Sequence, residues 1–103
     1  MHNIDWKNRS AELLGIFTGE KEYWGQGYGS DAINALLRFA FREMNLHRIY
    51  LHVHDYNERA IRCYEKCGFQ LEGRQREALF RDGRYHDVLL MSILREGFED
   101  SAH

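Results

Sequence analysis

Apolar and polar residues follow two different periods along the chain. Ile33, Leu36, Leu37, Ala40, Phe41 and Met44 recur at i, i+3, i+4, i+7, i+8 and i+11. That spacing gives one apolar stripe and predicts a helix over 30–44. Residues 48–54 (RIYLHVH) alternate strictly. Ile49, Leu51 and Val53 point one way, and Tyr50, His52 and His54 the other, as in a strand with one buried face. Residues 12–19 (ELLGIFTG) read as a buried strand built on Leu13, Leu14, Ile16 and Phe17. A glycine-punctuated loop follows over 20–29. Asn57 is suited to cap a second helix running to about Cys67, with Ala60, Ile61 and Tyr64 facing inward. Gly68 is a natural stop for it. Residues 69–80 and 85–94 read as strands. Asp82-Gly83 between them favours the positive φ of a hairpin turn, and Glu72-Gly73 marks a bulge or bend.

The predicted order is strand, glycine loop, helix, strand, helix, strand, strand. The first strand, the first helix and the second strand form a βαβ unit with a right-handed crossover. The closing hairpin is antiparallel, so the sheet is mixed and the fold class is α/β (α+β). Residues 1–10 read as a leader or remnant, 11–96 as the core, and 97–103 as a tail.

Composition narrows the classes of function. With 103 residues, 44% of them apolar, the chain makes one small domain. A formal net charge of -2 argues against a nucleic-acid partner. No apolar run approaches the roughly 20 residues of a membrane span, and the polar first ten residues lack the apolar core of a secretory signal. These point to the cytoplasm. Cys63 and Cys67 stand four apart, which fits neither a zinc ribbon nor a C-x-x-C pair, so they read as reduced thiols. His52 and His54, with or without His47, lack the carboxylate or cysteine framework of a metal site, and no metal is expected. Arg74, Arg76, Arg81 and Arg84 gather charge at the hairpin, as a solvated edge or as a contact for an acidic substrate.

The segment Trp24-Gly25-Gln26-Gly27-Tyr28-Gly29-Ser30 lies between a strand and a helix start. Glycines there let backbone N–H groups converge, and the helix adds its unpaired first N–H groups and dipole. The result suits a pyrophosphate. A turn that only reverses the chain is the other reading of the same glycines. A Walker loop would need lysine after its last glycine, and Gly29 is followed by Ser30 and Asp31. A dinucleotide loop would read G-x-G-x-x-G, whereas Gly25, Gly27 and Gly29 simply alternate.

Three segments in order, KEYWGQGYGSDAINALLRFAF, LHRIYLHVHDYNERAIRCYEKCGF and EGRQREALFRDGRYHDVLLMSIL, closely resemble the GNAT superfamily of acetyltransferases. Within it they are most similar to the branch that acetylates ribosomal-protein N-termini and polyamines. The resemblance spans about 13–94. It implies acetyl-coenzyme A as cosubstrate, with direct transfer of the acetyl group to a primary amine. Gly27 and Gly29 fill the glycine positions of the family's pyrophosphate loop, whose backbone grip falls on Gln26 through Ser30, including Tyr28 and Gly29. Trp24, beside Gly25, stands where arginine or glutamine is commoner. The strand role beside the pantetheine arm falls on Phe17, Thr18 and Gly19, with a Thr18 N–H facing the thioester oxygen. Asn57 matches the asparagine that touches the pantetheine, and Ala60 lies on the same helix. Tyr64 matches the general acid that protonates the departing thiolate. Without the resemblance, Tyr64 reads as a core tyrosine and Asn57 as a plain cap. Glu20 and Glu22 are the candidate bases, unless water carries that proton.

The family's usual fold has three strands and two helices before the strand at Leu13, where this chain has about a dozen residues. A fragment or a shortened relative is expected, and the strand at Leu13 is expected to lose a neighbour. An exposed edge of that kind leads to a dimer or higher oligomer. Two functions follow: an active amine N-acetyltransferase, or a truncated, non-catalytic acetyl-coenzyme A-binding module.

Overall fold

The computed structural model describes residues 2–13 and 28–100. Its elements are β1 (His2–Asp5), β2 (Ser10–Glu12), α1 (Tyr28–Arg38), a π-helical turn (Phe39–Glu43), β3 (Arg48–His54), α2 (Glu58–Lys66), β4 (Gln70–Arg81), β5 (Arg84–Leu94) and α3 (Arg95–Asp100). The strands form one sheet in the order β1-β2-β3-β5-β4. β2 runs parallel to β3, and the remaining pairs are antiparallel. The mixed sheet is present, and from α1 to β5 the elements follow the predicted order, while the strand and glycine loop expected over 14–27 lie outside the described residues.

Strand β3 organises the molecule. Its alternation is realised as expected: Ile49, Leu51 and Val53 are buried, while Tyr50 and His54 are half-buried and His52 exposed. Directly across on β5 sit Ile93, Met91 and Leu89, also buried. This apolar face packs in one cluster with Ile33, Leu37, Ala40 and Phe41 of the first helix and with Ala60 and Tyr64 of α2. Both helices therefore cover the same side of the sheet.

Two expectations about the ends of the core are corrected. The segment read as a leader supplies β1, which pairs with β2. Asp5 closes the turn between them, its carboxylate accepting from the Asn8 backbone N–H at 3.0 Å and side-chain amide at 2.8 Å. Over Ser10–Glu12 β2 thus lies between two strands, and the loss of a neighbour expected for the strand from Leu13 to Gly19 falls, beyond Leu13, outside the described residues. The segment read as a tail begins inside α3, where Phe98 is buried and meets Phe41 with ring centroids 5.4 Å apart.

The stripe helix is also not uniform. At Phe39 it widens, and Met44 N–H donates to the Phe39 carbonyl, five residues back, at 3.0 Å. Asn45 then takes φ 55°, and Leu46 N–H returns to the Ala40 carbonyl at 3.0 Å. The wide turn keeps both Ala40 and Phe41 buried. No helix among the described residues is long and apolar enough to cross a membrane.

Candidate active site

The carboxyl end of β3 leads into α2, and parallel strands such as β2 and β3 offer ligand sites at such ends. The two strands pair from Ser10 and Arg48 to Glu12 and Tyr50, and Leu13 N–H donates to the Tyr50 carbonyl at 2.8 Å. β5 pairs with β3 along its whole length, to His54. Expectations on Phe17, Thr18, Gly19, Glu20, Glu22, Trp24, Gly25, Gln26 and Gly27 lie outside the described residues. Tyr28, Gly29 and Ser30 form the first turn of α1, two residues earlier than the sequence predicts. Their backbone N–H groups belong to the four that no α-helix pairs internally.

Asn57 follows β3 closely and caps α2, its side-chain oxygen accepting from the Ala60 N–H at 3.3 Å. Ala60 itself is 1% exposed and packs into the core, so its side chain serves the fold. Tyr64 lies one helical turn further on and is 7% exposed. A Schellman closure fixes it: Gly68 N–H donates to Glu65 and Phe69 N–H to Tyr64, both at 3.0 Å. Gly68 takes the left-handed φ of 106° that this closure needs. The accompanying apolar contact is Phe69 against the Tyr64 ring, edge to face at 5.5 Å. Burial pushes the Tyr64 phenol well above its ordinary value, and neighbouring Cys63 and Cys67 add to the shift. The phenol therefore holds its proton at neutral pH, as a donor to a thiolate must.

The opposite face of the sheet is polar. Glu12 is 8% exposed, and both carboxylate oxygens are used. Oε2 meets His52 Nδ1 at 2.9 Å, and Oε1 accepts from the Asn3 side chain at 3.0 Å. His54 Nδ1 meets the Tyr56 hydroxyl at 2.9 Å, which also accepts from Arg81 at 2.9 Å. The three histidines considered together in the sequence thus take separate partners. His47 is exposed, and its backbone N–H donates to the Arg9 carbonyl at 2.7 Å. Among the described residues no His, Cys, Asp or Glu group is placed to hold a metal ion.

The hairpin departs from regularity twice. The first register shift, between Leu71 and Gly73, falls at the Glu72-Gly73 pair singled out in the sequence. The Ser92 hydroxyl and then the Arg48 guanidinium hold the Glu72 carboxyl below the usual carboxylate range. The second shift lies between Gln75 and Leu79 and had no sequence signal. Glu77 there has φ 52°. Its N–H donates to Asp87 Oδ1 at 2.8 Å, and Arg74 donates to Oδ2 at 2.7 Å. These contacts hold the Asp87 carboxyl low, the Glu77 N–H having the larger effect. Arg74 and Arg81 are thereby engaged in structural contacts. Asp82 and Gly83 take φ 53° and 74°, the turn expected from their sequence.

Comparison with known proteins agrees with this geometry. The acetyltransferase (GNAT) family model matches residues 1–69. A spermidine N(1)-acetyltransferase of Vibrio cholerae is 42% identical over 95 residues, which are 92% of this chain and 54% of that protein. A putative ribosomal N-acetyltransferase of Bacillus subtilis is 34% identical over 99 residues, 96% of this chain and 53% of that protein. The structure of the Vibrio cholerae spermidine N-acetyltransferase in complex with CoA and spermine superposes with TM-score 0.82 at 42% identity, covering 93% of this chain and 56% of that one. The chain spans about half the length of the curated relatives it matches. With its βαβ unit, capped second helix and closing hairpin in the family's order, this chain belongs to the GNAT family of acetyltransferases.

Proposed function

We propose that the chain binds acetyl-coenzyme A and transfers its acetyl group to a primary amine, a polyamine being the first class to try. The position and state of Tyr64 carry this reading. Its phenol is protonated, fixed by a closed helix end, and stands where the family's acid is expected. The amine attacks the thioester carbonyl, the C–N bond forms, the C–S bond breaks, and the thiolate takes the phenolic proton. Asn57 stands at the start of the same helix, where the pantetheine contact is expected, while its side chain also holds the helix end. The first turn of α1 supplies N–H groups for the pyrophosphate, with the positive end of the helix dipole behind them. The likeness to a spermidine acetyltransferase supports the choice of acceptor class.

Thermal melts with acetyl-coenzyme A, ATP and NAD test the donor. Only acetyl-coenzyme A should stabilise, by about 2.7 kcal/mol at a hundredfold excess over Kd. Thiol release with spermidine and with alanine- and serine-initiated peptides tests transfer. Stabilisation without release would select the binding-module reading. Tyr64→Phe should lower kcat by roughly 10²- to 10⁴-fold with donor affinity unchanged. A matching loss of affinity would make Tyr64 a packing residue.

A further inference from the structure

We propose that His52 is the base that takes the proton of the acceptor ammonium, with Glu12 as the residue that positions it. The proposal rests on the acetyltransferase reading above and supplies that reaction with its proton acceptor. A carboxylate oxygen only accepts hydrogen bonds. Glu12 is a buried residue whose two oxygens each face a nitrogen, His52 Nδ1 at 2.9 Å and Asn3 Nδ2 at 3.0 Å. The proton of the neutral imidazole is thereby placed on Nδ1, and the lone pair falls on Nε2. Among the described residues Nε2 has no hydrogen-bond partner, and the His52 side chain is 38% exposed. A fixed tautomer with an outward lone pair is the arrangement that makes a histidine a general base.

Its place in the fold fits the task. Described pairing of β2 with β3 reaches Tyr50, and His52 is the next residue on that face, about 6–7 Å further along the strand. This is the end of β3 from which the chain departs for α2, and Asn57 follows within five residues. Tyr64 belongs to the helix-covered side, with Leu51 and Val53. His52 belongs to the other. An acid for the leaving sulfur and a base for the entering nitrogen would then serve one carbonyl from two sides of the sheet. His54 shares the face but is drawn to Tyr56, which is bound in turn by Arg81 of the hairpin.

The proton balance closes. The ammonium gives one proton to Nε2, which passes it to solvent. The free amine attacks, and the tetrahedral intermediate expels the thiolate, which takes the proton of Tyr64. The remaining surplus proton on nitrogen restores the phenol through solvent. One proton leaves per acetyl group transferred.

Two variants, assayed in the whole chain with acetyl-coenzyme A and spermidine, test the idea. His52→Ala should lower kcat at least a hundredfold, leave stabilisation by acetyl-coenzyme A unchanged, and recover at least tenfold with added imidazole. Glu12→Gln keeps the shape but lets its amide donate to Nδ1, which moves the lone pair to the wrong nitrogen. It should lower kcat at least tenfold with donor binding intact. Wild-type kcat in His52→Ala, or a loss that imidazole does not mend, overturns the proposal while leaving the acetyltransferase reading in place. Wild-type kcat in Glu12→Gln overturns the positioning role. A wild-type chain that transfers to no amine overturns both readings together.

Discussion

The C-terminal end of α2 and the bulged half of β4 both leave regular geometry, and they are held by opposite means. At the helix end, Gly68 turns left-handed, and the carbonyls of Tyr64 and Glu65 are closed by backbone N–H groups under a Tyr64–Phe69 contact. Both aromatic residues are buried. At the bulge, Glu77 turns left-handed among exposed residues, and one carboxylate, Asp87, gathers its N–H and the Arg74 guanidinium. An apolar closure ties a local turn to the whole core. A polar closure governs only its neighbourhood, since exposed ion pairs contribute little to global stability.

That contrast can be broken or sharpened by substitution. The largest effect is expected at Phe41, which is fully buried and meets Phe98. Phe41→Ala should cost about 3–5 kcal/mol in urea unfolding, enough to unfold much of a domain of this size. Next comes Gly68→Ala, which forces a side chain into a left-handed position and should cost about 1–2 kcal/mol. If it costs as little as an exposed substitution, the helix end is not coupled to the core.

Asp87→Ala should act locally, speeding hydrogen exchange at the Glu77 amide while the global melting temperature barely moves. Acid should do the same in the wild type. The Asp87 pKa is lowered on folding, so its contribution is present above the ordinary aspartate value of about 4. It is lost as pH falls through the lower folded value. A large global destabilisation by Asp87→Ala would erase the distinction drawn between the two regions. The smallest effect is expected at Phe80, which is 63% exposed and meets Tyr85 edge to face with ring centroids 5.0 Å apart. Phe80→Ser should stay within about 0.5 kcal/mol by the same urea measurement.

What the sequence made legible follows the same division. The β3 alternation, the apolar stripe, the Asn57 cap, the Gly68 stop and the Asp82-Gly83 turn are each written in a few adjacent residues, and each is present. Strand β1 was missed because His2–Asp5 is short and mostly polar, and its place comes from pairing with β2. The π turn was missed because a six-position apolar stripe tolerates one widened turn. The second bulge carries a glutamate at positive φ, where no glycine or asparagine announces it. In the site, Asn57 as a helix cap and Tyr64 on the inner face of α2 were legible from spacing, whereas the roles proposed for them come from the family motif. The pairing of Glu12 with His52 was not legible, because forty residues separate them and only the sheet brings them together.

Strand β3 carries the buried Ile49, Leu51 and Val53 on one side and the imidazoles of His52 and His54 on the other, with a partner register fixed along β5. Its length is therefore far less negotiable than its composition. One inserted residue would drive histidines into the hydrocarbon interior beyond the insertion and turn isoleucine, leucine or valine out to water. Substitutions that respect hydrophobicity can accumulate there, whereas an insertion or deletion of a single codon should be among the least tolerated changes in the gene.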